Sequence, residues 1–208
     1  MTIVSSTSPE SAPELRIRLT VNQYHQMIRQ GILPEGAPVE LLDGWLIHKD
    51  RSHAGEDPMT VGPEHAKIIA RLGKLDPKMR RLGAYVRIQQ PLTLPPFNEP
   101  EPDAAIVIGS EDDYGHRHPV AAEVQCAVEV ADSSLADDRS RKQRIYADAG
   151  IPQYVIINLP ERVVEMYTQP QKGKGRYGQS ATLSPKQSVT FPGASGKSLA
   201  VPVKRLLP

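Results

Sequence analysis

Apolar and polar positions along this chain recur with two periods, and together they predict strands interleaved with helices. The sharpest alternation covers residues 123–130. Val124, Cys126, Val128 and Val130 would share one face of a strand, and Glu123, Gln125, Ala127 and Glu129 the other. Glu129 thus falls among apolar neighbours, where an ionised carboxylate is costly unless a cation or hydrogen-bond donors meet it. Beyond this strand the period turns helical. Asp138, Lys142 and Tyr146 recur at i, i+4 and i+8, which predicts a shared helical face. Ser133 or Ser134 is placed to cap that helix near Leu135 or Ala136, and Gly150 to end it. Pro152 then opens a second apolar strand over residues 154–157. A strand–helix–strand unit of this length implies two parallel strands. The helix must pack back over the sheet, which would carry Lys142 towards Glu129.

The remaining pattern supplies the other elements. Thr20 and Gln23 form a capping box for a helix running to about Gln30, with Val21, Tyr24 and Ile28 as its apolar stripe. Two apolar runs, 39–42 and 45–48, flank Asp43-Gly44 and predict a hairpin that carries Glu40 in an otherwise apolar strand. Residues 49–62 read as a loop. A helix from Pro63 would group His65, Ile68, Ile69, Leu72 and Leu75, with a break at Asp76-Pro77. Strands are expected at 85–90 and at 104–108, the second opened by Asp103 after a proline-rich connection. Residues 109–119 form a charged loop, in which His116 and His118 are ligand-type residues without a supporting pattern. A strand at 162–167, a basic loop at 169–179 and short strands at 181–183, 187–191 and 199–203 complete the chain. If the strands at 103–108 and 123–130 meander antiparallel, Asp103 and Glu129 meet at one sheet edge.

Composition narrows the setting. The chain has 208 residues, 39% of them hydrophobic, enough for one domain over residues 14–208 behind a disordered tail at 1–13. A net charge of +1 argues against a protein that coats nucleic acid by bulk charge, though a local basic cleft can hide in such an average. The lone Cys126 lies in the strand pattern and permits no disulfide within the chain, so a cytoplasmic setting is expected. No apolar run approaches the ~20 residues of a membrane span.

Four stretches carry a family resemblance: VELLDGW at 39–45, EPEPDAAIV at 99–107, VEVADSSLADDRSRKQRIYADAGIPQYVIINL at 128–159, and RVVEMY at 162–167. In order and spacing they resemble the Uma-type restriction endonuclease family, a branch of the PD-(D/E)xK nuclease superfamily. The resemblance implies an α/β fold with a mixed α+β sheet, its restriction-endonuclease-like core running helix, strand, strand, strand, helix, strand. It also implies Asp103 and Glu129 as metal-binding acids and Lys142 as the catalytic lysine. The superfamily's usual lysine would stand two residues after Glu129, where this chain has Ala131. Glu40 matches an upstream acid of the family, His65 a histidine opening the first core helix, and Asp138 and Tyr146 the flanks of the lysine.

Mg²⁺, or Mn²⁺ in its place, prefers oxygen ligands, which Asp103, Glu129, Glu40 and the Val130 carbonyl would supply. Such an ion would polarise a phosphoryl oxygen and help ionise a bound water. Lys142 would orient or deprotonate that water, or offset charge on the phosphorane. DNA is the expected partner, and a homodimer would allow two strands to be cut. Two classes of function follow, a metal-dependent endonuclease and a nuclease-fold protein that binds nucleic acid or a protein partner and cleaves nothing, and a phosphodiesterase acting on a substrate other than nucleic acid stands as a third.

Overall fold

A computed structural model describes residues 17–49 and 62–208. The expected tail at 1–13 and all but the ends of the loop at 49–62 lie outside the described residues. The elements are α1 (Val21–Arg29), β1 (Val39–Leu42), β2 (Trp45–His48), α2 (Pro63–Gly73), α3 (Asp76–Arg80), β3 (Ala84–Ile88), β4 (Ala104–Ile108) and β5 (Val124–Ala131). A crossover helix follows in three pieces: α4 (Leu135–Asp137), a π-helical turn (Asp138–Lys142) and α5 (Gln143–Ala149). Then come β6 (Gln153–Asn158), β7 (Val163–Gln171), β8 (Arg176–Leu183), β9 (Ser188–Pro192) and β10 (Ser198–Pro202).

The main sheet has six strands in the order β3-β4-β5-β6-β7-β8. Only β5 and β6 run parallel; every other neighbouring pair is antiparallel. The crossover helix is what a parallel pair requires, since no tight turn can join parallel strands. Its C-terminal end is fixed by Gly150, whose φ of 81° sits in the left-handed region that a helix-ending residue needs.

Both sheet faces are covered. The parity read for β5 holds: Val128 and Val130 pack on one side with Ile68 and Leu72 of α2, while Ala127 and Ala131 pack on the other with Ile145 and Tyr146 of α5. The β1–β2 hairpin turns at Asp43 and Gly44, both with positive φ (55° and 82°), the geometry that Asp-Gly favours between two strands. It docks on the proline-rich connection, with Glu99 N–H donating to Leu41 O at 2.7 Å. Thr20 and Gln23 form the expected capping box on α1.

Three expectations change. The basic loop at 169–179 is mostly strand: β7 and β8 pair through it, leaving a turn at residues 172–175. The strand expected to reach Gln90 stops at Ile88, because Gln89 takes a φ of 47°. Finally, Ser134, one of the two serines expected to cap the crossover helix, occupies the cap position without a capping bond. Its hydroxyl donates instead to Asp138 Oδ2 at 2.7 Å. Among the described residues, no helix is long and apolar enough to cross a membrane.

Candidate active site

Asp103 immediately precedes β4, and β4 pairs antiparallel with β5 so that Ala104 faces Val128. One step further along that register, Asp103 stands opposite Glu129. The Val130 N–H donates to Asp103 Oδ2 at 2.9 Å, a direct bond between the two strand ends. The conditional meander argument from the sequence is therefore met in the backbone. His65, in the first turn of α2, reaches the same oxygen through Nε2 at 3.1 Å. Gln89 Nε2 lies 3.4 Å from Asp103 Oδ1.

The crossover helix delivers the cation. Lys142 Nζ lies 3.1 Å from Glu129 Oε1, 3.6 Å from Glu40 Oε1 and 4.0 Å from Asp138 Oδ1. Tyr146 OH donates to Glu129 Oε1 at 2.8 Å. The helix widens over this segment. Gln143 N–H donates to Asp138 O, five residues back, and Tyr154 OH donates to the same carbonyl at 3.1 Å. Ser140 Oγ also bonds Ala136 O at 2.6 Å, a side-chain competitor inside the helical ladder. Despite the π turn, Asp138, Lys142 and Tyr146 all converge on the region of Glu129. Glu40 is steadied from the hairpin side, its Oε2 accepting the Glu101 N–H at 3.0 Å.

These residues line one cleft of about 380 Å³, with Glu40, His65, Asp103, Glu129, Val130, Asp138 and Lys142 in its wall and Tyr146 behind Glu129. Gln89 and Arg141 also line it, with no motif in the sequence that marks them, as does Ser134, expected only as a helix cap. Gln89 was within reach of sequence reasoning: pairing β3 with β4 sets Ile88 opposite Ala104, hence Gln89 opposite Asp103. Of the two ligand-type histidines of the charged loop, His118 is engaged elsewhere, at 2.8 Å from Arg87.

The electrostatics are dominated by burial and mutual repulsion. Burial pushes the Glu129 carboxyl well above its usual range. Lys142 pulls it back, while Asp138, Asp103 and Glu40 push it further up. Asp138 is raised to about 6, first by burial. Burial would also raise Asp103, but its hydrogen bond to His65, the charge there and the Val130 N–H outweigh burial and leave it lowered. Burial alone would lower Lys142; the four surrounding carboxylates reverse that and hold it well above the ordinary lysine value.

The donor set suits a hard cation. Glu40, Asp103, Glu129 and Asp138 bring carboxylate oxygens to the cleft, beside the imidazole of His65 and the cationic side chains of Lys142 and Arg141. His65 Nδ1, buried, has no hydrogen-bond partner among the described residues. Yet among the described residues no three histidine, cysteine, aspartate or glutamate side chains stand grouped as a ready-formed metal site. The ammonium of Lys142 lies among Glu129, Glu40 and Asp138, so those acids face it rather than one another.

The architecture is that of a nuclease fold. The chain superposes on the crystal structure of a "putative nuclease belonging to DUF820" from Anabaena variabilis with a TM-score of 0.63 and 16% identity, covering 90% of this chain and 97% of that one. Residues 21–202 match the model of the Uma2 family, described as "Putative restriction endonuclease", and the chain belongs to that family. None of the curated proteins matches it.

Proposed function

We propose that the protein is a Mg²⁺-dependent endonuclease hydrolysing DNA phosphodiester bonds at the cleft of Asp103, Glu129 and Lys142. One observation carries this reading: two strand ends, a hairpin and a crossover helix bring Glu40, Asp103, Glu129 and Asp138 together with Lys142 in one open cleft. Such a concentration of like charge destabilises a fold and calls for a function. Family membership and fold both support a nuclease.

Asp103, Glu129, the Val130 carbonyl and Glu40 are the residues that would hold Mg²⁺. When bound, the ion supplies Lewis acidity to a phosphoryl oxygen and lowers the pKa of a water. The protein's own groups do the rest. Val130 N–H and His65 fix the Asp103 carboxylate. Tyr146 fixes Glu129. Lys142, kept as an ammonium by its carboxylate neighbours, is suited to offsetting charge on phosphoryl oxygens rather than to taking a proton. Asp138, itself held by Ser134, sets the lysine's approach.

A second reading, a nuclease fold that binds without cleaving, draws on the lack of a ready-formed ligand group among the described residues. One experiment separates the two. Supercoiled plasmid, single-stranded DNA and RNA are incubated with the protein and Mg²⁺ or Mn²⁺, beside identically purified Glu129→Ala and Lys142→Ala variants. Metal-dependent cutting of DNA by the wild type alone supports the proposal. No cutting, or equal cutting by all three, removes it.

A further inference from the structure

Lys67 and Arg71 lie on α2, Lys74 in the turn that follows it and Lys78 on α3, and the last three of these line one groove. Ile68, Leu72 and Met79 of the same helices are buried. The C-terminal segment packs beside these basic residues. Val203, Leu206 and Leu207 are buried, and the Arg71 guanidinium donates to the Leu207 carbonyl. That packing brings Lys204 and Arg205 next to Lys74 and Lys78. The groove between them, about 400 Å³, is lined by Arg71, Lys74, Lys78, Lys204 and Arg205 and by no carboxylate.

Lys67, Lys74, Lys78, Lys204 and Arg205 are exposed, and none of them, nor Arg71, has a carboxylate partner among the described residues. In a chain of net charge +1, six uncompensated cations on and around the C-terminal segment make a field of one sign. The groove also leads somewhere. Lys204 lines a second cavity of about 630 Å³ together with Lys67, Pro63 and Glu64. Glu64 there is neutralised by Arg162 at 3.0 Å. The residue after Glu64 is His65, which faces the acid cleft.

We infer that this surface seats the sugar–phosphate backbone of duplex DNA on its way into the acid cleft, by charge and without reading bases. The partner class follows from what the surface lacks. Single strands are held by aromatic platforms that stack bases, and neither α2, α3 nor the segment from Val203 onward contains an aromatic residue. The inference rests on the nuclease reading of the cleft for its direction, but its measurement is binding, not cleavage.

The test is fluorescence anisotropy of a labelled duplex in metal-free buffer across a KCl series. The wild type is compared with a Lys74→Gln/Lys78→Gln/Arg205→Gln variant and with a control, Lys172→Gln/Lys174→Gln, at the β7–β8 tip. Each lost phosphate contact flattens the log–log salt slope by about 0.9, so the triple variant should be shallower by about 2.7 and weaker on the order of 10²-fold at 0.1 M salt. The control should match the wild type, and unchanged melting temperatures show that all three are folded. The inference is overturned if the triple variant keeps wild-type affinity and slope, or if the wild type binds no duplex or prefers single-stranded DNA or RNA. It is also overturned if the substitutions abolish binding to phosphatidylserine vesicles but not to DNA. Patch-dependent binding without cleavage would sink the nuclease reading alone. Cleavage with patch-independent binding would sink the surface alone.

Discussion

Replacing Glu129 by Gln should make the protein more stable while silencing it. Glu129 is 3% exposed and ends a strand packed under the crossover helix. Its attraction to Lys142 at 3.1 Å is worth about 5 kcal/mol at an effective dielectric of 20. Against it stand a desolvation cost of several kcal/mol and the repulsion of Asp138, Asp103 and Glu40. Because the carboxyl is raised well above 4.5, the opposing effects win. Glutamine keeps an Oε1 for Tyr146 and Lys142, so the packing survives while the charge goes. We expect a gain of about 1–3 kcal/mol, or roughly 3–10 °C in melting temperature for a chain of this size. The pH dependence has a definite sign. A carboxyl with a raised folded pKa binds more protons when folded, so the wild type loses stability as pH rises from about 4.5 towards the folded value. Glu129→Gln should flatten that slope. Calorimetry in EDTA from pH 4 to 8 reads both effects. A variant that melts lower than the wild type across that range would show Glu129 to be chiefly the structural partner of Lys142, and the reasoning would be wrong.

Three further outcomes follow from the same geometry. Lys142→Ala leaves Glu129, Glu40 and Asp138 without their cation and should cost about 3–5 kcal/mol by denaturant titration, part of it recovered on adding Mg²⁺. Mg²⁺ or Mn²⁺ titrated into the wild type should raise its melting temperature, and Asp103→Ala should abolish that rise; a rise unchanged in the variant would place metal binding elsewhere. Away from the cleft, Glu165 accepts bonds from Arg139 (2.7 Å), Asn158 (2.8 Å) and Tyr167 (2.7 Å), and Glu165→Ala strands the buried Asn158 amide. We expect a loss of about 3 kcal/mol. Despite burial, these donors hold the Glu165 carboxyl below 4.5, so its contribution is present above that value and fades as pH falls through the folded one. The variant should lack that acid limb.

Much of this arrangement was legible because local chemistry and global fold agree where they can be checked. Asp43-Gly44 announced its turn, Thr20 and Gln23 their cap, and the strict alternation around Val128 placed Glu129 on the side of Tyr146. Those signals depend only on neighbours in sequence. What stayed hidden depends on distant partners. Nothing in the spacing of residues 138–142 separates a π turn from an α turn; the widening involves the hydroxyl of Tyr154, on the next strand. Ser134 looks like a cap until Asp138 is in place to accept its hydroxyl. Strand β8 is polar and largely exposed, as suits a sheet edge, so only its end at 181–183 read as strand and residues 176–179 read as loop.

The parallel pairing of β5 and β6 has a consequence for synthesis. A growing chain emerges with Glu40, Asp103 and Glu129 already made and Lys142 still to come, and the strand that fastens the crossover helix, β6, comes later again. Until then Asp103 has His65 and the Val130 N–H, but Glu40 and Glu129 lack the Lys142 ammonium, and their repulsion opposes closure there. A nascent chain stalled before residue 142 should therefore keep its cleft open and accessible to protease. The arrangement around Lys142 is thereby completed only once most of the polypeptide has been made, a delay written into chain order.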